Sequence, residues 1–292
     1  MTAGPGLRVF VANLDAELEL ADAAYRRSAR MVASIRSRLP AVPGLAIVTR
    51  ADLPRDARFR AGDAWCPTPS ACALLRELGL SLPAPSPEIL RRVNHRAFAA
   101  ALGPLLPGAG FCTSLDDCAA VFAQAPARAW LCKRALGFAG RLRKRLVPEG
   151  LDDAARTWLA ASFDGAGGGL LVEPFVAIEA EFSLHARLDE RGRLVSGAPV
   201  CFRADADGAF TGAREAREGE LGEAEEAALR DALSRCATAL HAAGYFGPFG
   251  IDAYRWRDES GRLRFQPLGE LNARYTMAWW VGMGVRTDHT AS

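Results

Sequence analysis

Residues 245–277 read YFGPFGIDAYRWRDESGRLRFQPLGELNARYTM, and the alternation inside this stretch decides how the rest of the chain is read. In its first arm Phe249, Ile251 and Ala253 share one face while Asp252, Tyr254 and Trp256 share the other, the period-2 pattern of a half-buried strand. In the second arm Leu263, Phe265 and Leu271 oppose Arg264, Gln266, Glu270 and Asn272. Directly opposed residues of an antiparallel pair point to the same side, so burying both apolar sets together demands pairs whose numbers sum to an even value. Asp252, Glu270 and Asn272 then project from a single face. A five-residue loop from Asp258 to Arg262, centred on Ser260, obeys this rule and sets Asp252 opposite Leu268. Glu270 follows one same-face step beyond, roughly 7 Å along the strand. Pro267 brings no donor to the ladder, so this arm is expected to bulge or to turn Pro267 outward. Two carboxylates and an amide oxygen are hard ligands suited to a Mg²⁺ ion that also holds phosphate oxygens. The same pattern equally fits a hairpin whose polar face is solvated.

With 292 residues the chain is long enough for two or three lobes, and at 50% hydrophobic and 24% charged residues it has an ordinary soluble composition. A net charge of +2 predicts no strong attraction to nucleic acid or membrane. The cysteines at 66, 72, 112, 118, 132, 201 and 236 form no CxxC pair, which suggests reduced core thiols and a cytoplasmic protein rather than a zinc site or disulfide framework. The segment MTAGPGLRVFV lacks the basic and long apolar regions of a signal peptide, and no run approaches the roughly 20 apolar residues of a membrane span.

Residues 7–14 (LRVFVANL) predict a buried strand, and apolar residues at three and four spacing predict one helix from about Asp15 to Leu39. LAIVT at 45–49 then completes a βαβ unit, read here as a supporting sheet because no GxGxxG follows its first strand. Ser86 caps a helix with Pro87 at its first position, and that helix carries Asn94, His95, Arg96 and Phe98. FCTSLDDCAAVFAQ predicts a short strand and a helix capped by Ser114. Trp130–Lys133 predicts a strand that delivers Lys133, and Gly137 and Gly140 punctuate a loop whose amides would approach phosphates. The basic run Arg141, Arg143, Lys144 and Arg145 reads as a solvated charge run or as the lining of an anionic entrance. A helix over 151–163, a strand–hinge–strand at LLVEPFVAIEAEFSLHARL, further sheet to about residue 213 and a helix over 223–243 follow.

The run GxxGIDAY at 247–254, followed after the turn by GELNAR at 269–274, is similar to the C-terminal signature of the ATP-grasp superfamily, where an Asp and a Glu-x-Asn bind the magnesium ions of MgATP. On this resemblance Asp252, Glu270 and Asn272 are the metal ligands, and Arg274 matches a basic residue that commonly follows the Asn. VNHRAF at 93–98 resembles the Asn-x-Lys stretch that opens the nucleotide-binding core, with Arg96 where lysine is usual. Lys133, Gly137 and Gly140 match a lysine directed at the α and β phosphates and a glycine-rich flap. The 170–188 segment resembles the adenine hinge. Glu173 corresponds to the hinge acid, Phe175 and Val176 to the backbone and apolar wall for adenine, and Glu181 to the acid that binds ribose hydroxyls. One extra residue in the spacing leaves Glu179 as a competitor. Arg203 would add positive charge toward the triphosphate.

The resemblance covers about residues 90–285 in the family's order, and the first ninety resemble the small α/β domain that many members carry. It implies an α/β (α+β) protein with a pre-ATP-grasp domain over 1–88 and an ATP-grasp domain over 89–292, whose two α+β lobes grip ATP. The nucleotide-binding small lobe would run from about 112 to 175, and the metal-binding lobe from about 176 to 285. The implied activity is an ATP-dependent carboxylate–amine (or thiol) ligase that passes through an acyl phosphate and releases ADP and phosphate. Lys133, Arg274 and Arg203 would offset charge during transfer. The implied cofactors are ATP and Mg²⁺, with Mn²⁺ as a substitute, and the partners are small-molecule carboxylates and amines, without nucleic acid or membrane. A homodimer stays open. Cys66-Pro67-Thr68-Pro69 and VNHRAF are also similar to bacterial members linked to peptide natural products, which suggests peptide or amino-acid ligation. The alternatives are a grasp-fold kinase for a small-molecule hydroxyl and a non-catalytic nucleotide-binding module.

Overall fold

The computed structural model describes residues 7–28, 31, 45–49, 59–124, 129–137, 142–147, 151–165, 168–204 and 210–284. The apolar run that opens the chain becomes β1 (Arg8–Val11), flanked in parallel by β2 (Leu45–Val48) and β3 (Ala61–Ala64) in the order β2-β1-β3. The alternation in β1 serves two cores. Val9 and Val11 pack with Leu74 and Leu75 of α2 (Pro69–Glu77), whereas Phe10 faces the main core, its ring 5.2 Å from that of Tyr275. β3, whose sequence is AGDA, has no β-branched residue and leaves no periodic signal.

The long helix expected from Asp15 is broken. Its first described part is α1 (Ala16–Ala21), after which the backbone is extended at Asp22 (φ −139°, ψ 110°), and Met31 is again helical. The Asp15 carboxylate draws back the Tyr25 hydroxyl at 2.8 Å and Arg27 Nε at 2.7 Å and so fastens the non-helical residues 22–28 to the start of α1. Most of the remaining stretch to Leu39 lies outside the described residues.

Two further helices follow where one was expected. Ser86 Oγ accepts from Ile89 N at 3.4 Å and starts α3 (Pro87–Asn94), with Pro87 in the first turn as the sequence requires. At His95 the backbone extends (ψ 130°), and His95 Nδ1 accepts from Ala97 N at 3.2 Å to cap α4 (Arg96–Ala100). The His95 imidazole is thus an N-cap.

An antiparallel sheet of order β4-β7-β5-β6 comes next, built from β4 (Gly110–Cys112), β5 (Trp130–Arg134), β6 (Arg143–Leu146) and β7 (Leu170–Pro174). It is backed by α5 (Leu115–Gln124) and α6 (Asp153–Ala160) over a small core that contains Trp130, Cys132, Leu170 and Val172. The basic run at 143–145 is therefore a paired strand: Lys133 faces Arg143 across β5 and β6.

The largest sheet has the order β11-β10-β8-β12-β13, with β9 pairing onto β8. Its strands are β8 (Ala177–Leu188), β9 (Leu194–Ser196), β10 (Val200–Ala204), β11 (Phe210–Glu215), β12 (Gly247–Arg257) and β13 (Leu263–Asn272). The apolar face of β12 packs with Leu229, Leu233 and Leu240 of α7 (Glu223–Ala242), and Phe249 and Ile251 there have no exposed surface. Burying each such side chain is worth roughly 1.5–3 kcal/mol. A last turn, α8 (Trp279–Gly282), brings Trp279 and Trp280 onto Tyr275. Among the described residues no helix is long and apolar enough to cross a membrane.

The β12–β13 pair follows the parity rule with one revision. Arg257 faces Leu263 and Tyr254 faces Gln266, as a loop from Asp258 to Arg262 dictates. The register then shifts, so that Ala253 alone lies against Pro267, Leu268 and Gly269, and Asp252 stands opposite Glu270 instead of Leu268. This is the bulge that Pro267 predicts. Its two extra residues preserve parity, so the polar face survives. Gln266 Nε2 ties the bulge down by donating to Leu268 O (2.9 Å) and Pro104 O (2.6 Å). Gly269 is needed because a Cβ there would lie 2.6 Å from Tyr254 Cε1.

Candidate active site

The bulge carries the site. Asp252 and Glu270 are direct cross-strand neighbours, Gly250 faces Asn272 in the next row, and Asn272 Nδ2 donates to Asp252 Oδ2 at 3.1 Å. That bond leaves Asn272 Oδ1 uncommitted to Asp252. On β8 the residue opposite Asp252 is Ser183, whose buried hydroxyl has no hydrogen-bond partner. Glu270 and Asn272 line a pocket together with Glu17, Asn94, Arg96 and Gly137.

The electrostatics of the two carboxylates diverge. Burial, and then the neighbouring charge of Glu270, push the Asp252 carboxyl up to about 8. Burial alone would also raise Glu270, but Arg96, Lys133 and Arg274 outweigh it and hold that carboxyl below the usual range. Arg96 Nη2 lies 2.7 Å from Glu270 Oε1, and so stands beside the acid as a counterion.

Lys133 and Glu173 meet as well. Leu131 faces Glu173 across β5 and β7, Lys133 lies on the same side one step along, and its Nζ is 2.5 Å from Glu173 Oε2. Phe175 is half-exposed, its N–H donates to Ala129 O at 2.9 Å, and the Arg145 guanidinium lies 4.1 Å from its ring centre. Val176 is half-buried beside it in the hinge. Glu181 stands opposite Tyr254, and its charge contributes to raising Asp252. Glu179, the competitor, forms an exposed ion pair with Arg257 at 2.9 Å. Gly140 lies outside the described residues.

Two of the expected basic residues are otherwise engaged. Phe202 stands opposite Glu181, so Arg203 takes the other face of β10, and it lines a groove with Glu181, Arg214 and Glu220 whose lining does not include Glu270 or Asn272. Arg274 does not stand free to meet a phosphate. It is buried at 6% exposure, with Nε donating to Glu17 and Nη1 donating to Tyr275 O at 3.1 Å. Glu17 escaped the sequence reading because nothing in DAELEL marks it as facing a pocket. Burial raises its carboxyl despite Arg274, and its Oε2 has no hydrogen-bond partner.

Among the described residues no group of three or more His, Cys, Asp or Glu side chains is disposed to hold a metal ion. Two carboxylates and an amide fit a divalent cation that takes its remaining ligands from phosphate oxygens and water.

No protein-family model matches the sequence, and comparison with curated proteins finds no match. Solved structures do match. The N5-carboxyaminoimidazole synthetase of Staphylococcus aureus, complexed with ADP, superposes with a TM-score of 0.54 at 10% identity, over 94% of this chain and 72% of that one. D-alanyl-alanine synthetase A of Vibrio cholerae gives 0.54 at 14% identity, over 96% and 92%. Biotin carboxylase of Campylobacter jejuni gives 0.57 at 13% identity, over 94% and 67%. The chain described here shares the architecture of these neighbours, the ATP-grasp fold.

Proposed function

We propose that this chain is an ATP-dependent carboxylate–amine ligase that activates a carboxylate as an acyl phosphate. One observation carries the reading: Asp252, Glu270 and Asn272 converge from two bulged strands on the pocket side that also receives Arg96, with Lys133 close enough to act on Glu270. The V. cholerae neighbour, matched over nearly the full length of both chains, makes amino-acid or peptide ligation the subclass to test first.

In this reading a substrate carboxylate oxygen attacks the γ-phosphorus, the bond to the β–γ bridging oxygen breaks, and ADP leaves. An amine nitrogen then attacks the acyl carbon, phosphate departs, and the nitrogen loses its proton to solvent. Asp252, Glu270 and Asn272 would hold Mg²⁺, which when bound neutralises phosphate oxygens. Lys133 and Arg96 would turn from Glu173 and Glu270 toward the phosphates. Glu181 is preferred over Glu179 for the ribose, because it shares the carboxylate face while Glu179 points outward. No protein nucleophile is required.

The test is ADP release from MgATP across a panel of carboxylates and amines, with Asp252→Ala and Glu270→Ala as controls. Hydroxylamine trapping should give an acyl hydroxamate. Turnover without hydroxamate would favour phosphorylation of a hydroxyl, and unchanged turnover in both variants would remove these acids from the site.

A further inference from the structure

The residues that leave the ligand strand are gripped from outside their own sheet. Ala273 is fully buried, and both polar groups of its backbone are met by one side chain: Asn94 Oδ1 accepts from Ala273 N at 3.0 Å, and Asn94 Nδ2 donates to Ala273 O at 3.3 Å. Arg274 is bound by Glu17, and its guanidinium carbon lies 5.6 Å from the Trp65 ring centre. Tyr275 donates its N–H to Trp65 O at 3.0 Å and its hydroxyl to Asp63 Oδ2 at 2.6 Å. Three consecutive residues are thus held by the end of α3, by α1 and by the end of β3.

This grip matters because, among the described residues, β13 is the edge strand of its sheet and pairs with β12 alone. Among them no ladder continues past Asn272, and a buried peptide without partners would be costly. A buried ion pair such as Glu17–Arg274 is weak evidence for stability, since the same volume filled with apolar groups often does as well. Its use lies in geometry.

We infer that Asn94 and Glu17 are positioning residues for the candidate site: by fixing residues 273 and 274 they set where Glu270 and Asn272 project. The βαβ segment, read from sequence as a supporting sheet, thereby contributes Glu17 to the site. What the site holds rests on the ligase reading, whereas the grip is a property of the nucleotide-free chain.

The experiment compares the wild-type chain with Asn94→Ala, Asn94→Asp and Glu17→Gln. Amide exchange at residues 273–275 is followed without nucleotide, and ADP binding is measured calorimetrically with Mg²⁺ and in EDTA. Asn94→Ala and Glu17→Gln should speed exchange at these amides about tenfold. They should weaken MgADP about 10–100-fold, the usual effect of losing a ligand-orienting partner, with metal-free ADP little changed. Asn94→Asp keeps the acceptor for Ala273 N–H and should recover part of both effects. Folded variants with wild-type exchange and wild-type MgADP affinity would overturn the inference. If the wild-type chain itself ignores MgADP, the ligase reading fails, and the exchange data still decide the grip.

Discussion

Arg96 Nη2 meets Glu270 Oε1 at 2.7 Å, so α4 touches β13, the strand that carries a candidate ligand, through one ion pair. The arginine stands in for a cation. Arg96→Ala would leave Glu270 beside Asp252 without its nearest counterion, and the nucleotide-free protein should lose about 1–2 kcal/mol, a partly exposed pair being worth less than a fully buried one. Saturating MgADP should narrow the loss, because a bound divalent ion supplies the missing charge. Urea unfolding with and without MgADP reads this directly. A deficit of equal size in both conditions would show that Glu270 meets no cation.

Asp252 gives a pH prediction of opposite sign to an ordinary surface acid. Its folded carboxyl is pushed up to about 8 by burial and by Glu270, against 3.8 for a free one. Between those values the native state holds a proton that the unfolded chain has lost. The contribution of the group is therefore full below pH 3.8 and is lost as pH rises through 8. Asp252→Asn removes the titration while its amide oxygen still accepts from Asn272 Nδ2. The variant should gain stability over wild type by about 1–3 kcal/mol at pH 9, and by less at pH 6. Under saturating MgADP the order should reverse, since the amide binds a divalent ion more weakly. A variant no more stable than wild type at pH 9 would mean that the native Asp252 carboxyl ionises at no cost and its pKa is not raised.

What could be read in advance, and what could not, follows from the range of the forces involved. The hairpin was legible because its parity and its loop are local, and Pro267 even announced the bulge. The amount of the register shift was not legible, since it depends on Gln266 reaching Pro104 and Leu268. The strand of Lys133 and the hinge before Glu181 came from alternation and family order. The break in the long first helix did not, because Asp15 captures Arg27 by side-chain geometry that periodicity ignores. The surroundings of Arg203 and Arg274 were not legible, for one reason. Sequence order places a positive charge on a strand or loop, but only the register of β10 and the presence of Glu17 decide where the charge points.

Lys133 Nζ and Glu173 Oε2 meet at 2.5 Å across β5 and β7, with both side chains largely buried. Removing one member of such a pair strands the other charge, so Lys133→Met and Glu173→Gln should each destabilise by roughly 3–5 kcal/mol. The double variant should recover much of that loss, because both charges are gone. Nucleotide affinity should not recover, if Lys133 is the group that turns toward phosphate. A double-mutant cycle run on unfolding and on MgADP binding separates the two roles. Affinity restored together with stability would make the pair structural only.

His185 supplies the acid limb of stability. It is fully buried on β8 opposite Gly250, neither ring nitrogen has a hydrogen-bond partner, and a Cβ on Gly282 would lie 2.5 Å from its Nδ1, so the ring is tightly enclosed. Burial depresses its pKa to about 3 from an ordinary 6.5. As pH falls below 6.5 the unfolded chain takes up a proton that the native ring refuses. The group's contribution is therefore full above pH 6.5 and is lost as pH falls toward 3, with a limiting slope near ~1.4 kcal/mol per pH unit. His185→Leu has a similar volume and removes a polar group that has no partner to abandon, so its cost at pH 7 should stay within about 1.5 kcal/mol. Urea unfolding between pH 7 and 4.5 should show wild type losing stability with about one more proton of slope than the variant. Equal slopes would require that the native imidazole can charge in place. The packing of Gly250 and Gly282 against the ring would then have to open on protonation, and amide exchange at residue 282 would rise at acid pH in wild type alone.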